Sequence, residues 1–172
     1  MKIHPRLPLL ANLLIVVSFS GFIHPAMADD ATPASSAAAS SLDFGDYKSS
    51  TLTGKAWKAL ESKNYAEVSG YANKCIDTFK TQAVAQQKAL TSPPTEKEQV
   101  FAQWALNDVG TCYFILGKSL DDQGKGKEAA AAYKFLVENL AFAQCWDPKG
   151  WFWKPADAAK ERIKALEFDS LK

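Results

Sequence analysis

One stretch limits the folds open to this chain more than any other. It reads Tyr113-x-x-Leu116-Gly117-x-x-Leu120, then Gly124-Lys125-Gly126-Lys127, then Glu128-Ala129-x-x-x-Tyr133-x-x-Leu136. Large apolar residues recur three and four positions apart, the spacing that lines one face of an α-helix. The glycine-rich segment between the two series is a chain breaker. Gly117 is a small residue of the kind that lets two helices approach closely. The pattern predicts a helix–turn–helix in which large residues lock a close approach.

The same periodicity, followed along the chain, predicts five helices. The first runs from about Thr53 to Ser62, with Ala56, Trp57 and Leu60 apolar, and Lys63-Asn64 makes the turn. The second starts near Tyr65 and fades around Leu90; Val68, Ala72, Cys75, Ile76, Phe79 and Ala83 share one face. Thr91-Ser92-Pro93-Pro94 is a strong breaker. Thr95 and Glu98 then have the spacing of a capping box for a long third helix. Its stripe is Phe101, Ala105, Val109, Cys112, Leu116 and Leu120, and Trp104, Phe114 and Ile115 add a second strip, so it should be central. The fourth runs from about Lys127 to Phe142. Pro155 suits the first turn of a last helix, to about Phe168.

Residues 1–28 read as a cleavable signal peptide. A weakly basic start (Lys2, His4, Arg6) precedes an apolar run from Leu9 to Ile23, and Ala26-Met27-Ala28 is a small-x-small cleavage site. The run is shorter than the ~20 residues of a membrane span. The expected location is periplasmic or secreted, with no membrane span after cleavage. Cleavage would remove both histidines, His4 and His24. That excludes histidine triads, histidine general bases and histidine-ligated zinc from the mature chain. The formal net charge of +1, already close to neutral, implies neither a nucleic acid nor another polyanion as partner. Residues 29–46 begin as an Ala/Ser-rich leader without the apolar content to pack, and are expected to be disordered. The domain is expected over 47–172.

The Tyr113–Leu136 stretch resembles the tetratricopeptide-repeat family. A second copy, Ala56-x-x-x-Leu60 followed by Asn64-Tyr65-Ala66-Glu67-Val68-x-x-x-Ala72-x-x-Cys75-Ile76, follows the same template from the turn onward. Glu67-Val68 then aligns with Glu128-Ala129. The copies stand farther apart than the family's ~34-residue period, and the extra residues fall as extensions of helices two and three around Pro93-Pro94. The resemblance implies an all-α fold: a short tetratricopeptide-like antiparallel helical stack, with two elongated central helices and a C-terminal capping helix. It also implies a surface for a protein or envelope component, on the inner face of each repeat's first helix. On this chain that face is Thr111, Phe114, Lys118 and Asp121, with Trp57 from the weaker copy.

Trp146-Asp147-Pro148-Lys149-Gly150-Trp151-Phe152-Trp153 combines a type I turn signal with four aromatic residues. One reading is an aromatic platform, with Trp151 and Trp153 offered to sugar rings or an apolar peptide. The other is a plug that closes the open end of the helix stack. The segment also resembles one found in exported bacterial repeat proteins, some of them labelled glucanase-related.

No catalytic constellation is visible. Asp121-Asp122 diverge by about 100° on a helix, so they do not converge on one glycosidic bond. Gly124-x-Gly126-Lys127 lacks the longer glycine spacing of a phosphate loop. The three cysteines fit neither a metal nor a CxxC spacing. Cys75 and Cys112 stand symmetrically about Pro93-Pro94, so an antiparallel hairpin makes them neighbours and a possible disulfide, leaving Cys145 over. The expectation is a non-enzymatic interaction module without cofactor or metal. The alternatives are a glycan-binding or glycan-processing accessory using residues 146–155, and a thiol-redox role for Cys145.

Overall fold

The computed structural model describes residues 42–171. The expected signal peptide and most of the expected leader lie outside the described residues. Among the described residues the chain forms six helices and one β-hairpin. Helix α1 (Ser49–Glu61) and helix α2 (Tyr65–Ala89) form one helical hairpin. A short α3 (Lys97–Ala102) leads into α4 (Trp104–Asp122), which pairs with α5 (Gly126–Asn139) in a second hairpin. Strands β1 (Cys145–Asp147) and β2 (Trp151–Trp153) follow, and α6 (Pro155–Asp169) closes the order.

The turns of the two helical hairpins share one backbone geometry. After α1, Lys63 takes φ 56°, and its N–H bonds Leu60 O while Asn64 N–H bonds Ala59 O. After α4, Gly124 takes φ 73°, and its N–H bonds Asp121 O while Lys125 N–H bonds Leu120 O. Both are Schellman caps, which satisfy the last carbonyls of a helix through a left-handed residue. Lys63 occupies the place that Gly124 holds in the second turn. Asn64 also accepts a hydrogen bond from Glu67 N–H at 3.4 Å, capping α2.

The core lies between α1, α2 and α4, where Leu52, Ala56, Val68, Ala72, Cys75, Leu106, Val109, Cys112 and Ile115 are fully or nearly fully buried. Two glycines of α4 allow close approaches, Gly117 to α5 and Gly110 to the segment just after α5. A Cβ on Gly117 would lie 2.5 Å from the Tyr133 ring, and one on Gly110 would lie 2.4 Å from Ala143 Cβ. The sequence argument about small residues thus has a definite partner: Gly117 makes room for Tyr133. Helix α6 packs on α5 and α4 through small residues, with Ala156 and Ala159 buried.

Four expectations need correction. The third helix is not continuous. It breaks at Gln103 (φ −90°, ψ 36°), and the groups that the break frees are held by side chains. Asn107 Nδ2 donates to Val100 O at 2.7 Å. Gln86 of α2 accepts from Leu106 N–H at 2.8 Å and donates to Ala102 O at 3.3 Å. The Thr95/Glu98 capping box does not form, because α3 begins at Lys97 with Glu96 at its cap and no side-chain cap bond. Helix α1 begins at Ser49, before Thr53, and α5 ends at Asn139, before Phe142. Packed structure also begins inside the expected leader: the Phe44 ring meets Tyr71 edge-on at 6.0 Å, and Leu42 fills the space beside Gly70.

Candidate functional site

The aromatic segment folds as an antiparallel hairpin, pairing Cys145 with Trp153, Trp146 with Phe152 and Asp147 with Trp151. Its turn is closed by Gly150 N–H to Asp147 O at 2.9 Å, and Asp147 Oδ1 also accepts from Lys149 N–H at 2.8 Å. Directly paired residues share a face, so Trp153 and Cys145 point one way while Trp146 and Phe152 point the other. On the first face Trp153 packs against Phe114 at 5.2 Å and Trp57 at 6.5 Å. On the second, Phe152 meets Phe101 at 5.6 Å and Trp146 at 4.9 Å. Trp151 is 48% exposed near the turn.

The expected inner-face set divides. Trp57, Phe114 and Trp153 form one ring cluster, with Tyr133 behind Phe114 at 6.0 Å. Thr111 is buried beside it in sequence, and its hydroxyl donates to Asn107 O. Lys118 and Asp121 are engaged elsewhere: Lys118 pairs with Asp122 at 3.0 Å, and Asp121 binds Arg162 of α6. Helix α6 therefore takes up Asp121, while Lys118 stays in an exposed pair within α4.

Between α1, the α3–α4 junction and the hairpin lies a cleft that the sequence did not single out as a unit. A hollow of about 280 Å³ is lined by Thr53 of α1, Phe101, Trp104, Asp108 and Thr111 around the helix break, and Trp146 and Phe152 of the hairpin. A second hollow of about 300 Å³ adjoins it, sharing Ser50, Trp104 and Asp108 and extending to Lys48 and Phe79. Phe101, Trp104 and Trp146 are 50%, 40% and 42% exposed. The helix break sets this rim, because it lets Phe101 turn to the hairpin while Trp104 turns to Phe79 of α2, at 5.5 Å. Asn107 ties the parts together: its Oδ1 accepts from Gln144 N–H, just ahead of β1, while its Nδ2 holds Val100 O.

Asp108 is the charged group at the base of the cleft. Ser49 Oγ donates to its Oδ2 at 2.5 Å. Burial raises its pKa above the ordinary carboxylate value, and the Ser49 bond opposes that only in part. Among the described residues no cation forms an ion pair with it.

The thiols offer little chemistry. All three cysteines are free. Cys75 and Cys112 both lie on the Thr53 hydroxyl, at 3.9 and 3.3 Å, so the hairpin symmetry does bring them together, as unbonded thiols. Burial pushes the Cys112 thiol well above its ordinary pKa and raises that of Cys145 too, the opposite of an activated thiolate. Among the described residues no group of three metal-ligating side chains gathers, and no helix is long and apolar enough to cross a membrane. No family model, curated protein or solved structure matches the chain.

Proposed function

We propose that this chain is an exported, non-enzymatic interaction module of tetratricopeptide-like build, and that it holds a partner protein in the aromatic cleft. One observation carries this reading: Phe101, Trp104, Trp146 and Phe152, from α3, α4 and the hairpin, converge on one hollow, and the first three stay 40–50% exposed. Aromatic rings held half-exposed around a concave site are the usual anchors of binding surfaces. The matched Schellman turns support the repeat-like build, since both hairpins reverse in the same way at aligned positions.

Site-specific photocrosslinking in the native envelope tests the reading. A photoreactive phenylalanine in place of Trp104 should capture a discrete partner. The same probe at the exposed Glu138, away from the cleft, should not. Equal capture from both positions would remove the cleft from the binding surface. The glycan reading predicts something different, a change in tryptophan emission with soluble envelope oligosaccharides that Trp104→Ala abolishes.

A further inference from the structure

We infer that the cleft receives a protonated primary amine, presented as a lysine side chain of the partner polypeptide; this rests on the partner-binding reading above. The argument begins with the polar groups of the floor. Four hydroxyls line the hollows with Asp108; Ser50 keeps its hydrogen for a ligand, and the other three commit theirs inward. Ser49 donates to Asp108 itself, Thr53 to Ser49 O at 2.8 Å and Thr111 to Asn107 O at 2.7 Å. What those three and the Asp108 carboxylate leave for a ligand is oxygen lone pairs, so the floor offers more acceptors than donors. A hydroxyl-rich ligand needs donors as well as acceptors from its site, whereas an ammonium group brings three donors and no acceptor.

Charge points the same way. A carboxylate removed from water is costly unless a cation meets it. The first turn of α1, reached through Ser49, lends Asp108 the partial positive charge of a helix N-terminus but no full counter-charge. The charged neighbours are otherwise engaged. Lys48, at the edge of the second hollow, pairs with Asp46 at 2.9 Å. Lys97 lies over the Phe101 and Trp146 rings at 5.7 and 5.1 Å and does not line the hollow. It shows that these rings already accept an ammonium at cation–π distance.

The walls complete the fit. A lysine is an apolar four-carbon stem ending in a compact charge. Phe101, Trp104, Trp146 and Phe152 supply apolar ring surface for the stem, and Asp108 stands at the floor for the head. The two adjoining hollows share Trp104 and Asp108 and run on past Trp104, so the chain bearing that lysine has a path in and out.

The test uses the whole domain and the indole N–H signals of its tryptophans in ¹H–¹⁵N spectra. A blocked Gly-Lys-Gly peptide should shift the Trp104 and Trp146 signals in a saturable way. Acetylation of the lysine Nε, or norleucine in its place, should weaken that binding at least tenfold. These peptide changes leave the protein untouched, so no folding defect can mimic the result. Asp108→Asn should weaken it similarly while its spectrum stays dispersed. Equal binding of the lysine and norleucine peptides would overturn the inference, as would tighter binding of free 1,5-diaminopentane than of the lysine peptide. If photocrosslinking from Trp104 still captures a partner in either case, the cleft remains a binding surface and only its lysine chemistry is lost. If that crosslink fails, the partner reading itself falls.

Discussion

Gly117 and Asp108 carry the most consequence for their size. Gly117 faces the Tyr133 ring with no room for even a methyl group. All three contacting atoms belong to a fully buried ring, which has nowhere to move. Gly117→Ala should therefore destabilise the protein by roughly 1–3 kcal/mol, the usual cost of overpacking, and urea denaturation measures it. The sequence made this residue legible, because a glycine within a helical apolar stripe needs a packing reason. Asp108 was not legible. It stands on the polar side of the α4 pattern, and only folding places it beside Ser49, 59 residues earlier. Its pKa is raised by burial, so its ionisation opposes folding. The stability tied to its protonated form is complete below the ordinary aspartate value of about 4 and is lost as pH rises through the raised folded value. Asp108→Asn should therefore melt higher than the parent at pH 7, and the gap should close as pH falls below about 4. Asp43 and Asp46 are shifted the other way, by Lys55 and Lys48, but they are present in both chains and leave the difference unchanged. A higher melting point together with lost lysine binding is the pattern expected where a site is kept at some cost in stability.

At the scale of elements, the hairpin gives the residues of the tryptophan-rich segment different surroundings, because its two strands place neighbouring residues on opposite faces. Trp153 wedges against Trp57 and Phe114, as a plug would. Trp146 and Phe152 line the cleft, whereas the two rings of the platform reading, Trp151 and Trp153, do not line it. Trp153→Ala should cost roughly 2–4 kcal/mol, below the full value for a buried aromatic because the ring is only half-buried. Trp151→Ala, at a largely exposed site, should cost less than about 1 kcal/mol. Thermal melts of the two variants side by side check the pair; equal losses would mean that both rings bear on the core. The turn chemistry of Asp147-Pro148-Lys149-Gly150 was readable, and so were five of the helices, because apolar spacing and proline breakers are local signals. The break at Gln103 was not. No proline or glycine marks it, and the bonds that sustain it come from Gln86 on α2 and Asn107 on α4. A side chain that replaces a helix bond from another element leaves no trace in local periodicity. The cleft rim depends on that break, so the site escaped notice for the same reason.

For the molecule as a whole, the question is how a domain this short closes its helix stack. The outer side of the α4–α5 pair carries apolar surface that needs cover. Here α6 supplies it, with Pro155, Ala156 and Ala159 buried and two ion pairs at the rim, Arg162 with Asp121 and Lys134 with Glu167 at 3.1 Å. The Lys134–Glu167 pair is exposed and contributes little, a median of about 0–1 kcal/mol, whereas Arg162 meets an Asp121 side chain that is only 15% exposed. Two changes separate these contributions. Lys134→Ala, at the exposed pair, should lower stability by no more than about 1 kcal/mol. Ending the chain after Lys154 strips the cover from α5 and from the α4 surface near Asp121. The truncated chain should keep its far-UV helical signal over the remaining helices while losing near-UV signal and binding a hydrophobic dye, the signature of secondary structure without fixed packing. Circular dichroism in both ranges, with dye fluorescence, decides it. A truncated chain that melts as sharply as the parent would mean that the α1–α2–α4 core stands alone and that α6 is an accessory to it.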